Sequence, residues 1–202
     1  MRSSRVSLAL AVLLSAACNS SHADPEIGKA APDFALPASD GKTYALSALK
    51  GKTVVLEWWN HQCPFVRKHY GAGNMQRLQK DYTAKGVVWL AVQSSALGKE
   101  GNVDGDRAAE LMKESGASPT AVLLDPLGTA GRSYAAKTTP HMFVIDPSGT
   151  LVYKGAIDDR PSTDPADTFA AKNYVAAALD ETLAGKPVSI ASTKPYGCGV
   201  KY

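Results

Sequence analysis

Five short apolar runs alternate with helical stretches along most of this chain, and this alternation limits the folds that it can adopt. Turn-forming residues bound each run; the runs are residues 53–59, 87–93, 121–125, 142–146 and 151–156. The helical stretches are residues 64–85, 105–115, 130–136 and 170–184. Several runs are continuously apolar, which is typical of strands buried on both faces. With a hairpin through residues 147–149, the pattern predicts an α/β fold: a central mixed β-sheet flanked by helices.

The composition is that of one ordinary globular domain. The chain has 202 residues, of which 45% are hydrophobic and 20% charged. No internal repeat and no linker rich in Pro, Gly or Ser divides it, so we expect a single domain. The formal net charge is only +3, too small for the basic surface that nucleic-acid binding requires. We therefore expect no nucleic-acid partner.

The first 23 residues have the pattern of a secretory signal peptide. Two arginines precede an apolar run from Val6 to Cys18, and small residues follow to Ala23. Cleavage after Ala23 leaves a folded domain over residues 24–184 and a polar C-terminal tail over residues 185–202. Alternatively, residues 14–18 (LSAAC) resemble a lipoprotein box, and a lipidated Cys18 would then attach the protein to a membrane. Both interpretations predict export to an oxidising compartment, the bacterial periplasm.

Cys63 lies directly after the first strong strand and at the opening of the first long helix. A thiol at a helix N-terminus faces unpaired N–H groups and the positive end of the helix dipole, which favour the thiolate. Up to about 2 kcal/mol of such stabilisation lowers a thiol pKa by roughly 1.5 units from ~8.5. Pro64 suits the first helical turn because its missing N–H has no partner there. These features predict that Cys63 is a nucleophile.

A family resemblance rests on two segments. Residues 31–65, which end in WWNHQCPF, and residues 137–155, which begin KTTPHMFVID, resemble the redoxin branch of the thioredoxin-like fold. That branch includes alkyl hydroperoxide reductase and thiol-specific antioxidant proteins and periplasmic thioredoxin-like proteins. The resemblance implies a thioredoxin-like redoxin domain over residues 24–184. It also implies that Pro140 forms a cis-proline turn against Cys63 and that His141 lies near this cysteine.

Two departures from the family pattern leave the reaction open. Val66 replaces the second cysteine of a thioredoxin motif, and Asn60 replaces the hydroxyl residue that helps a peroxiredoxin to hold peroxide; an asparagine amide can still donate a hydrogen bond. The resemblance implies a thiol-based oxidoreductase without a cofactor, served by an external thiol reductant. Its substrate would be either a peroxide or a protein disulfide.

Cys198 is the internal candidate for the second sulfur that either reaction requires. It follows Pro187 by 11 residues, which extend to at most about 36 Å, and a domain of this size spans roughly 40 Å. Contact with Cys63 is therefore allowed but not required. Cys198 either resolves the oxidised Cys63 or remains a free or intermolecular thiol.

The rival hypothesis is a copper- or zinc-binding protein. His61 and His69 flank Cys63 in sequence, His141 is implied to lie near it in space, and thiolate with imidazole suits Cu(I) or Zn(II). A metal-handling redoxin would normally have a cysteine pair near the helix start, which is broken here.

Asp158 and Asp159 are neighbouring acids that could suggest a carboxylate site. Adjacent residues of a strand face opposite sides, so their carboxylates cannot converge on one atom. We therefore expect both residues to occupy a solvated loop.

Overall fold

A computed structural model describes residues 24–202; the predicted signal peptide, with Cys18, lies outside the described residues. Within this range the strands are β1 (Ala35–Pro37), β2 (Thr43–Ala45), β3 (Val54–Trp58), β4 (Val88–Gln93), β5 (Ala121–Leu124), β6 (Thr138–Thr139), β7 (His141–Ile145), β8 (Leu151–Gly155) and β9 (Cys198–Gly199). The helices are α1 (Pro64–Gly71), α2 (Asn74–Thr83), α3 (Gly105–Ser115), α4 (Thr129–Ser133) and α5 (Tyr174–Leu183), with 3₁₀ turns at Leu46–Leu49 and Pro165–Phe169. None of the described helices is long and apolar enough to cross a bilayer.

Five strands form the central sheet, in the order β5-β4-β3-β7-β8. β3 pairs in parallel with β4, and β4 with β5, whereas β7 runs antiparallel to both β3 and β8. The hairpin between β7 and β8 turns at Asp146, whose carboxylate accepts hydrogen bonds from the backbone amides of Ser148 and Thr150. The predicted mixed sheet, its hairpin and its single domain are confirmed.

Both faces of the sheet are covered, as the continuous apolar strands predicted. On one face α2 packs against β4, and α5 against β7 and β8, in a cluster that includes Val55, Leu78 and Leu179. On the other face Trp58 is fully buried against Tyr134, with 5.5 Å between the ring centroids. The sheet is therefore a rigid support for the loops at the end of β3.

The predicted helix over residues 64–85 is two helices in the structure. The chain turns at Ala72 and Gly73, and Gly73 has φ +68°, a left-handed conformation that glycine adopts without strain. The last helix begins at Tyr174 instead of residue 170, because the side chain of Asn173 caps it by accepting a hydrogen bond from the Ala176 amide. Helical periodicity indicated both regions but could not locate these local boundaries.

The C-terminal segment, residues 185–202, is packed against the domain from Ala191, whose carbonyl accepts a hydrogen bond from the Lys154 amide, to its end. β9 pairs with β6, and the Val200 amide donates a hydrogen bond to the Lys137 carbonyl. The Ala96 amide donates to the Lys201 carbonyl, and the Tyr202 hydroxyl donates to the Ala136 carbonyl. This packing fixes the position of Cys198.

Candidate active site

Cys63 occupies the N-cap of α1, between the end of β3 and Pro64 at the first helical position. Its side chain has no exposed surface and packs in a cluster with Trp59 and Val66. The Cys63 carbonyl accepts the first helical hydrogen bond, from the Arg67 amide at 2.9 Å. The predicted placement of a cysteine at a helix start is therefore confirmed.

Cys198 meets Cys63 through the short ladder between β9 and β6. Cys198 is opposite Thr139 in this ladder, and the Thr139–Pro140 peptide bond is cis. Both cysteines are free thiols, and their Sγ atoms are 2.9 Å apart. The Cys63 Sγ also lies 2.8 Å from the Thr139 carbonyl oxygen. Of the two arrangements that the sequence allowed, the structure has the one in which the cysteines touch.

The two thiols differ in acidity because their surroundings differ. Burial raises the pKa of Cys63, but hydrogen bonds from the Cys198 thiol, from the Thr139 side chain and from the Val66 and Cys198 amides lower it by more. The Thr139 carbonyl favours a protonated Cys63 sulfur, and these donors outweigh it. Burial and the hydrogen bond to Cys63 raise the pKa of Cys198 to about 12. Cys63 therefore carries the thiolate of the pair, and Cys198 keeps the proton.

The buried Asn60 lies three residues before Cys63, but its side chain is already engaged. Its Nδ2 donates to the Glu100 carbonyl at 3.3 Å, and its Oδ1 accepts from the Gln62 amide at 2.9 Å. Gly101 packs so closely on this amide that a Cβ there would overlap it. In the structure, Asn60 holds the turn before Cys63 against the Glu100–Gly101 segment.

His141 follows Pro140, as the motif required, but its ring packs on Phe143, with 4.4 Å between the centroids. Its Nδ1 accepts a hydrogen bond from the Lys137 amide, and burial lowers its pKa to about 3. The ring lines a cavity of about 620 Å³ together with Asp24 and Lys154. Among the described residues no hydrogen bond joins His141 to either cysteine.

A buried polar cluster next to Cys198 was not predicted. The Tyr196 hydroxyl donates to the Asp158 carboxylate, and it lies 3.1 Å from His69 Nε2 and 3.4 Å from Lys68 Nζ. Lys68 Nζ is 3.5 Å from Asp158, and both side chains are almost fully buried. The expectation of a solvated loop at Asp158 is wrong, because the residue faces α1 instead of solvent. We call these four residues the Tyr196 cluster.

The described histidines have contacts that separate them from one another. His61 stacks on Trp59, His69 accepts a hydrogen bond from Asn74 at Nδ1, and His141 lies on β7. Within residues 24–202 no group of three or more His, Cys, Asp or Glu side chains has the spacing of a metal site. The geometry of the described residues does not favour the copper or zinc alternative.

A mixed five-stranded sheet, with a cysteine at the start of its first helix facing a cis-proline loop, defines a protein of the thioredoxin-like α/β fold. The chain belongs to the AhpC/TSA family, whose sequence model matches residues 27–154. The predicted redoxin membership and fold are therefore confirmed.

Several known proteins are similar to this chain. The thiol-disulfide oxidoreductase ResA of Bacillus subtilis is 32% identical over 127 residues, which are 62% of this chain and 64% of ResA. The thiol:disulfide interchange protein DsbE of Escherichia coli is 28% identical over 165 residues, which are 77% of this chain and 82% of DsbE. An uncharacterized conserved protein of Geobacillus kaustophilus is 29% identical, with a TM-score of 0.74 over 88% of this chain and 92% of that one. The chain thus spans just under two thirds of the length of ResA.

Proposed function

We propose that this protein is an exported thiol–disulfide oxidoreductase whose redox pair is Cys63 and Cys198. The observation that carries the proposal is the 2.9 Å contact between the two sulfur atoms, at the helix start beside Pro140. Val66 occupies the position of the second cysteine in a thioredoxin motif, and the C-terminal segment brings a cysteine from elsewhere in the chain to the same nucleophile. The pair would cycle between a dithiol and a disulfide, with transfer of two electrons and two protons.

The relatives support exchange as the reaction class, because ResA and DsbE are named for thiol–disulfide chemistry. The acidities of the two thiols support it as well. A thiolate at Cys63 is a good leaving group when a disulfide to Cys198 is opened, since thiols of lower pKa leave faster. The partners would be a protein dithiol or disulfide and an external thiol couple, in the oxidising compartment that the signal peptide predicts.

Peroxide reduction is less well supported. A peroxide must reach the Cys63 sulfur, which has no exposed surface, and the Asn60 amide that might hold it is bound to Glu100 and Gln62. Pro140 shapes the wall of the site in either reaction. His141 has its own partner at Lys137, so we assign it a structural role at the start of β7.

A peptide assay with two variants tests this function. The full chain, oxidised, is mixed with a peptide dithiol, and peptide disulfide is measured; we expect about one disulfide per chain, and none from Cys63→Ser or Cys198→Ser. Ser189→Ala, an exposed change in the same C-terminal segment, is the control and should match the wild type. A Cys198→Ser variant with full activity would contradict the proposal. Oxidation of Cys63 by hydrogen peroxide much faster than that of a free thiol would favour the peroxidase instead.

A further inference from the structure

The two cysteines of the pair differ in their access to solvent. Cys63 has no exposed surface, and Cys198 lies over it. Cys198 itself is half-buried, and its neighbour Gly199 is exposed. A partner therefore meets the residue at position 198 before it can meet Cys63.

The segment that carries Cys198 is anchored on both sides of this residue. Two residues before it, Tyr196 enters the buried cluster with Asp158. Four residues after it, the Tyr202 ring lies against Gly128 and Gly131, where a Cβ on either glycine would overlap the ring. The Arg132 guanidinium also stacks over the Tyr202 ring at 4.5 Å. Exposing Cys63 would require at least one of these anchors to detach.

Detaching the anchor at Tyr196 is costly in particular. Asp158 and Lys68 are buried charges, and Asp158 accepts a hydrogen bond from the Tyr196 hydroxyl. Without the Tyr196 hydroxyl, Asp158 would keep only the Arg160 amide and Lys68 as partners, and a buried charge is destabilised when it loses a hydrogen-bond donor. The closed arrangement is therefore the one that a partner encounters.

We propose that Cys198 is the sulfur that exchanges with partner thiols and forms the mixed disulfide, while Cys63 reacts only with Cys198. This inference rests on the proposed function, since it assigns roles within the same redox pair. It reverses the roles that the resemblance implied, in which the helix-start cysteine meets the substrate.

The exchange steps follow from these roles. A substrate thiolate attacks Cys198 Sγ of the oxidised pair; a new S–S bond forms, the Cys63–Cys198 bond breaks, and its electron pair leaves on Cys63 as a thiolate. A second substrate thiolate then attacks the substrate sulfur of the mixed disulfide, which releases the substrate disulfide and leaves Cys198 to take up a proton. A disulfide oxidant reloads the pair: Cys198 attacks one sulfur of the oxidant while its S–H proton passes to the departing oxidant thiolate. The Cys63 thiolate then attacks Cys198 Sγ, which reforms the Cys63–Cys198 bond and releases the second oxidant thiolate. The backbone amides of Val66 and Cys198 stabilise the Cys63 thiolate that the first step creates.

Mapping of the first mixed disulfide tests the assignment. The oxidised chain, in a Cys18→Ser background, is mixed with glutathione and quenched with acid at several short times, then digested with pepsin at low pH so that exchange stays stopped. Extrapolated to zero time, we expect about tenfold or more adduct on Cys198 compared with Cys63. Adduct mainly on Cys63, or equally on both, would overturn the inference. If no Cys63–Cys198 disulfide forms before glutathione is added, the proposed function itself is refuted. That result is distinct from failure of the inference, which shows only in the position of the glutathione adduct.

A second measurement tests whether the Tyr196 anchor must detach before glutathione can react. Tyr196→Phe removes the hydroxyl that binds Asp158 and loosens the segment. If partners meet Cys198 in the closed arrangement, the rate of glutathione attack on the oxidised variant stays within about threefold of the wild type. A rise of about tenfold or more would indicate that the segment must open first, and would contradict the inference.

Discussion

His69 Nε2 lies 3.1 Å from the hydroxyl oxygen of Tyr196, which joins α1 to the C-terminal segment inside the protein. Asn74 donates a hydrogen bond to His69 Nδ1, so the ring proton is on Nε2 and is directed at Tyr196. Burial lowers the pKa of His69 to about 4, which keeps the ring neutral in this role. Through Tyr196, the helix that presents Cys63 also positions Cys198.

Tyr196→Phe tests this link. The substitution leaves Asp158 without its hydroxyl donor, so we expect the free energy of unfolding to fall by about 1–3 kcal/mol, measured by urea denaturation. Tyr44→Phe is the matched control, because the Tyr44 hydroxyl binds Asp40 at the surface, and its effect should be below about 0.5 kcal/mol. Equal effects of the two substitutions would show that the Tyr196 hydroxyl contributes no more to stability than a hydroxyl at the surface.

The contact of Gly197 with Thr139 leads to a second prediction. Gly197 has φ +148°, and a Cβ at this residue would overlap the Thr139 carbonyl group. Gly197→Ala should therefore push β9 from β6 and lower the yield of the Cys63–Cys198 disulfide at least about fivefold, as measured by thiol titration after oxidation. Gly199→Ala has open space for its methyl group and should leave the yield unchanged. A normal yield from Gly197→Ala would mean that this ladder does not position Cys198.

Glu57 makes the stability depend on pH. It is fully buried in β3, and burial raises its pKa from 4.5 to about 7, against the hydrogen bonds from Trp89, Tyr70 and Gln79. Between pH 4.5 and 7 the folded state keeps a proton that the unfolded state loses, so stability falls as pH rises. The loss is about 3 kcal/mol, at about 1.4 kcal/mol per unit of pKa.

Glu57→Gln removes this titrating group and keeps the shape of the side chain. We expect the difference in unfolding free energy between variant and wild type to change by about 3 kcal/mol in favour of the variant from pH 4.5 to pH 7, measured by urea denaturation at several pH values. Because the difference is taken between two proteins, other titrating groups cancel. A difference that is constant with pH would show that Glu57 has an ordinary pKa.

Cys198 lowers the pKa of Cys63 by donating its S–H, and two substitutions test this effect. Cys198→Ala removes the donor and should raise the pKa of Cys63, as followed by thiolate absorbance against pH. Cys198→Ser keeps a donor and should restore most of the shift. Identical pKa values in the two variants would indicate that the other donors, the Thr139 side chain and the backbone amides, stabilise the thiolate without residue 198's side chain.

The position of Cys63 was predictable because it depends on local features: a strand, a proline and a helix start that are adjacent in the chain. Its contact with Cys198 was not, since the two residues are 135 positions apart and meet through a ladder of two residue pairs. Asp158 was misjudged for a similar reason. The alternation rule considers only the neighbours of a residue in the chain. Asp158 is buried by Lys68 and Tyr196, which belong to distant elements.

Disulfide mapping of the oxidised protein tests the central claim most directly. The chain is treated with a mild disulfide oxidant, digested at low pH, and its peptides are analysed by mass. If Cys63 and Cys198 are the redox pair, one linked peptide containing both residues accumulates, with the loss of two hydrogens, and it disappears in Cys198→Ser. A separate Cys63 adduct or sulfinic acid in its place, with Cys198 still a free thiol, would contradict the account.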